Sequence, residues 1–139
     1  MDERKIKDLL LRELDLPILE ELSVCNGRVR ADLVAITSQL HCYEIKSERD
    51  NLSRLMKQGF QYNRFFHYVT LVCAEQHAEA ALNIIPDWWG LSTVDCESTN
   101  EQRAPTKNPA VDPIALAEIF SRAELETLLK SHNFENRLT

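Results

Sequence analysis

Ile6, Leu9, Leu10 and Leu14 recur at helical spacing with charged residues between them, which predicts an amphipathic helix over residues 3–15 that stops near Pro17. The period then shortens. "ILEELSV" (18–24) reads as a strand, Asn26-Gly27 as a tight hairpin turn, and "RVRADLVAI" (28–36) as a second strand. "TSQ" makes another turn before a third strand, "LHCYEIKS" (40–47), in an antiparallel meander. From Asp50 the period lengthens again, with Leu52, Leu55, Gly59, Tyr62 and Phe66 on one face of a helix. "YVTLVC" (68–73) is continuously apolar, as a buried parallel strand would be. A short helix over "EQHAEAALNII" is broken at Pro86, ahead of a strand at 91–94. Residues 96–113 hold three of the five prolines and read as a connector loop. A last amphipathic helix, about 114–131, carries Ile114, Leu116, Ile119, Leu125, Leu128 and Leu129 and would pack on the core or on a dimer partner. The order αβββαβαβ, then α, predicts one mixed α/β domain.

Composition fits that reading. At 139 residues and 44% hydrophobic, the chain supports a single core. No stretch approaches the roughly 18 apolar residues of a membrane span. The N-terminus is charged from Asp2 onward, unlike a signal peptide, so a soluble cytoplasmic protein is expected. Cys25, Cys42, Cys73 and Cys96 form no C-x-x-C pair and read as reduced structural thiols. His41, His67, His77 and His132 are scattered, with none spaced as a metal pair. Trp88 and Trp89 read as packing residues before a base-stacking platform.

Net charge is −6, which argues against a nucleic-acid coat protein that binds through a basic surface. Locally the balance reverses. From Lys46 to Arg64 the charges of Lys46, Arg49, Arg54, Lys57 and Arg64 outweigh Glu48 and Asp50 by +3. Such a stretch is either a solvated helix face or a flank that holds phosphates.

One strand poses a chemical problem. Glu44 and Lys46 project to the same face of the third strand, and the turn at 37–39 brings Asp32 of the second strand beside Glu44. Two carboxylates brought together inside a sheet repel and lose hydration, a cost that a divalent cation removes. Magnesium suits such a pair, because it takes one or two protein carboxylates and leaves positions for water and a phosphate oxygen. The plain alternative is a structural ion pair on a half-exposed sheet face.

"RADLVAITSQLHCYEIKS" resembles the D-x(n)-E-x-K signature of the PD-(D/E)xK nuclease superfamily, with Asp32, an eleven-residue gap, then Glu44-Ile45-Lys46. Residues 18–95 are similar over most of their length to small stand-alone bacterial and phage members. Ala31 stands where the family's name has proline. The resemblance implies a restriction-endonuclease-like three-layer sandwich, with a central mixed sheet of 4–5 strands flanked by helices and a nuclease-like core over 1–95. It further implies Asp32 and Glu44 as ligands of Mg2+, with Mn2+ as substitute, Lys46 as the catalytic lysine, and an upstream carboxylate at Glu21 or, second choice, Glu20. Gln58 and Tyr62, four apart on the following helix, match a pair in the similar proteins and would bind substrate phosphate or fix Lys46; Arg49, Arg54 and Lys57 would flank them.

The implied activity is metal-dependent hydrolysis of DNA phosphodiester bonds by an endonuclease, in a repair, phage or defence context. RNA stays open as a substrate, and cutting both strands would favour a two-fold homodimer. The alternative is an inactive module that keeps the fold to bind nucleic acid or a protein partner.

Overall fold

Asp2 starts the first helix by accepting the Lys5 N–H on Oδ1 at 2.9 Å, satisfying one of the donors that a helix start leaves open. Helix α1 (Glu3–Glu13) follows and buries Ile6, Leu9 and Leu10. It also buries Lys7, whose position on the apolar stripe becomes important at the site. The structure, a computed structural model, describes residues 1–24, 29–54, 64–119 and 121.

Among the described residues six strands follow the helix: β1 (Ile18–Val24), β2 (Val29–Ile36), β3 (Leu40–Lys46), β4 (Tyr68–Ala74), β5 (Gly90–Val94) and β6 (Thr99–Arg103). They form one sheet in chain order, β1-β2-β3-β4-β5-β6. The β1/β2, β2/β3 and β5/β6 pairs are antiparallel, whereas β4 runs parallel to both β3 and β5. Parallel neighbours need crossovers. Residues 47–67 make the first, and a 3-10 turn (Glu75–His77) leading into α2 (Ala78–Ile84) makes the second. Residues 113–119 form a further helical segment, α3. The Asn26-Gly27 turn and most of the helix anticipated from Asp50 lie outside the described residues; the described part of that stretch holds a 3-10 turn at Leu52–Arg54.

Alternation along β3 and β4 divides the core between the two faces. Leu40, Cys42, Val69, Leu71 and Cys73 join Phe65, Phe66, Ala81, Trp89, Ala115 and Ile119 in the larger cluster. Ile45 and Val72 meet Ile6, Leu9 and Leu10 of α1 in the smaller one. Trp89 is fully buried and packs edge-on against Trp88, in keeping with a packing role. Cys42 and Cys73 are buried free thiols and Cys96 is exposed. No helix among the described residues is long and apolar enough to cross a membrane.

The sheet has more strands than the 4–5 anticipated, and the extra one lies inside the stretch taken as a connector. Thr99–Arg103 is polar throughout and mostly exposed, so no apolar alternation marks it. It is an edge strand held by its ladder with β5 and by Glu13, which accepts from the Thr99 N–H at 3.1 Å and from its hydroxyl at 2.5 Å. The rest of 96–113 is strapped to the core by main-chain hydrogen bonds. Thr106 N–H donates to Trp88 O at 2.9 Å, and Asn108, itself buried, donates through its backbone to His67 O at 2.7 Å and through its side chain to Phe66 O at 2.9 Å. Asp112 N–H reaches Arg64 O at 3.1 Å.

The strap passes tightly over the start of β5. A Cβ on Gly90 would stand 2.8 Å from Pro105 Cδ, 2.9 Å from Pro105 N and 3.0 Å from Thr70 Oγ1, closer than packed atoms tolerate. Gly90→Ala is expected to cost roughly 1–3 kcal/mol, read as a lower urea midpoint at unchanged slope. A neutral result would mean that the strap is loosely held.

Candidate active site

The β2/β3 register runs from Ile36↔Leu40 to Leu33↔Tyr43. At the next step the side chain of Asp32 intervenes, its Oδ2 accepting the Ile45 N–H at 2.8 Å. A carboxylate oxygen thus stands where a strand carbonyl would, and the two strands form a fork around it. Across β2, Glu21 has φ 54 and is the one described non-glycine residue in the left-handed region. The alternation of both strands re-phases here. Leu19 and Leu22, of opposite parity, pack in the same cluster, as do Val34 and Ala31 opposite them.

A cavity of about 510 Å³ opens at this fork, lined by Glu3, Glu21, Arg30, Asp32, Glu44, Ile45, Lys46 and Asp50. The three residues of the D-E-x-K pattern therefore meet in one place. It lies at the carboxyl end of β3, the end at which crevices open in α/β sheets. Glu44 is 3% exposed, and Lys46 Nζ stands 3.8 Å from Glu44 Oε1. Burial pushes the Asp32 carboxyl above its ordinary range. The Ile45 N–H, a hydrogen bond with Glu44 and the charges of Lys46 and Lys7 draw it back in part. The Cys42 thiol is pushed well above its usual range by burial and then by Glu44 and Asp32, so it stays protonated and inert.

Of the two upstream carboxylates, Glu21 lines the cavity. Glu20 instead lies 3.7 Å from Arg4 and 4.0 Å from Lys7. Glu21 has cationic partners of its own: Lys7 Nζ donates to Oε1 at 3.3 Å and the Arg30 guanidinium to Oε2. Arg30 first and Lys7 second hold its carboxyl below the usual range. Arg49 is exposed and lines a neighbouring cavity of about 310 Å³ with Met1, Asp2, Lys5, Ser47 and Glu48. The side chain of Arg54, and Lys57, Gln58 and Tyr62, lie outside the described residues.

Sequence reasoning missed Glu3, Lys7, Arg30 and Asp50. Glu3 reaches the cavity because α1 lies over β3, and its carboxyl is raised by burial, then by Asp32 and Asp50. No local pattern announces such a docking. Asp50 carried a readable signal in "SERD", a Ser-x-x-Asp turn. Its Oδ2 accepts from Ser47 N–H at 2.7 Å and Ser47 Oγ at 3.0 Å, folding the chain back as it leaves β3.

Among the described residues no three His, Cys, Asp or Glu side chains make a ready metal cage. The Asp32/Glu44 pair is still a fitting donor set for magnesium: two hard oxygen ligands on an open cavity, with water supplying the remainder.

The family profile described as Bacteriophage P4 protein cII matches residues 2–139. The chain belongs to that family. Protein cII of Enterobacteria phage P4 is 34% identical over 87 residues, or 62% of this chain, and the match spans about a third (32%) of that relative's length. Among solved structures, a protein of unknown function from Silicibacter pomeroyi superposes with a TM-score of 0.64 at 15% identity, over 96% of this chain and 88% of that one. At that identity the likeness speaks for the fold alone.

The raised Asp32 carboxyl has a measurable consequence. The native state holds this proton more tightly than the unfolded chain does, so stability falls as pH climbs from the ordinary aspartate range through the raised value. Asp32→Asn keeps an acceptor for Ile45 and removes the penalty. In metal-free buffer at neutral pH its melting temperature is expected above wild type, with the gap closing in acid below both values. A lower melting temperature at neutral pH would contradict this.

Proposed function

We propose that this chain is a divalent-metal-dependent nuclease that hydrolyses nucleic-acid phosphodiester bonds at the β2/β3 fork, in a restriction-endonuclease-like fold. One observation carries the reading: the Asp32 carboxylate, bonded to the Ile45 N–H at 2.8 Å, shares a single cavity with Glu44 and Lys46. An ion pair kept for stability alone has little use for a second buried carboxylate, whose desolvation the hydrogen bonds with Ile45 and Glu44 offset only in part.

Asp32 and Glu44 would hold Mg2+, or Mn2+ in its place. When bound, the ion would supply charge to a scissile phosphate and acidify a water molecule. Lys46 has a distinct part. Its ammonium, with the side chain 13% exposed, is kept against Glu44 and reaches the cavity, where it can orient the attacking water or meet charge growing on phosphate oxygens. Arg30, exposed at the fork, and Arg49, exposed in the neighbouring cavity, are suited to flanking phosphates, which position a strand without reading its sequence. DNA is the proposed substrate. A two-fold dimer would let one site per chain cut both strands.

Nicking of supercoiled plasmid with Mg2+ or Mn2+ tests the proposal. Lys46→Ala and Asp32→Asn are each expected to lower the rate by on the order of 10²-fold or more, with folding intact by circular dichroism, and chelation should abolish it. Equal rates in wild type and both variants would remove the assignment. Metal-independent binding without cleavage would favour the inactive module.

A further inference from the structure

Both carboxylate oxygens of Glu21 are engaged by cations that differ in access. Lys7 is fixed in the core beneath α1, its side chain 6% exposed, whereas Arg30 is 60% exposed. Arg30 and Glu21 stand in the wall of the cavity that also holds Asp32, Glu44 and Lys46. The left-handed backbone at Glu21 sits between the regular pairs Glu20↔Leu33 and Leu22↔Ala31, so the flanking ladder imposes it. A carboxylate already neutralised twice is a poor ligand for a dication, because a cation must leave before the metal gains anything. The guanidinium can leave, since it binds phosphate oxygens through its planar fork at least as well as it binds a single carboxylate oxygen.

We propose that Arg30 is a substrate-sensing positioning residue: in the free protein it holds Glu21 off the metal, and a backbone phosphate of bound nucleic acid takes Arg30 over. Glu21 then joins Asp32 and Glu44 as an oxygen donor while Lys7 stays on its other oxygen. This rests on the nuclease reading. Metal and nucleic acid consequently bind with positive coupling, each tightening the other by the same factor.

The test is titration with Mn2+, followed by its paramagnetic resonance signal, on the full chain carrying Lys46→Ala so that a short duplex stays uncut. Without duplex, adding Arg30→Ala should tighten Mn2+ binding by about fivefold or more. The duplex should tighten it by a similar factor in the parent and leave the Arg30→Ala form unchanged. Glu21→Gln should keep the parent's weak affinity with and without duplex. Arg30→Gln serves as a second variant where Arg30→Ala fails to fold, and should behave in the same way. Equal Mn2+ affinities for parent and Arg30 variants, or duplex-dependent tightening that survives them, overturn the proposal. With plasmid nicking by wild type intact, that result sinks the switch alone. Failure of every form to bind Mn2+ sinks the nuclease reading and the switch together.

Discussion

One hydrogen bond, from the Ile45 main chain to the Asp32 carboxylate, separates an ordinary sheet from one with a chemical opening in it. Where β2 and β3 would have continued to exchange amide and carbonyl, a side chain takes one partner's place and the strands diverge. Everything at the site depends on that divergence. It makes room for the Glu44 and Lys46 side chains, brings the first turn of α1 within reach, and coincides with the left-handed residue on β1. The interaction is costly, because it keeps a carboxylate out of water beside another. The surrounding ladders, with β3 paired to β4 from His41 to Lys46, are rigid enough to sustain it.

The charge distribution follows the same logic. Glu3, Glu21, Asp32, Glu44 and Asp50 outnumber Arg30 and Lys46 around the cavity. Such a hollow repels a polyanion. On the nuclease reading a dication offsets most of that negative charge, so that substrate affinity and catalysis would depend on the same ion. This also reconciles a net charge of −6 with a nucleic-acid substrate. The attraction need only be local.

Much of this was readable from spacing alone. Period-two runs located β1, β2 and β3 to within a residue, and the continuous apolar run of "YVTLVC" announced β4 as a parallel strand, because burial on both faces removes the polar half of the pattern. Asp32, Glu44 and Lys46 were legible as a group because a short turn fixes antiparallel register. What escaped had no local signature. β6 is held by main-chain bonds and by Glu13, so its side chains carry no pattern. Glu3 and Lys7 enter the site only through the docking of α1, and the φ of Glu21 is imposed by neighbours on β2. The connector proved to be a strap because Asn108, an unremarkable loop residue in sequence, supplies hydrogen bonds to the core.

The outermost strands, β1 and β6, have a bearing on solubility. A sheet can recruit foreign chains along its rims, and flat apolar rims do so most readily. Here one rim is interrupted at Glu21 by a backbone turn that an incoming strand could not follow, and the other is Thr-Asn-Glu-Gln-Arg. Fibrillar growth is thereby discouraged at both ends, and the kink that serves the cavity protects the protein from self-polymerisation as well.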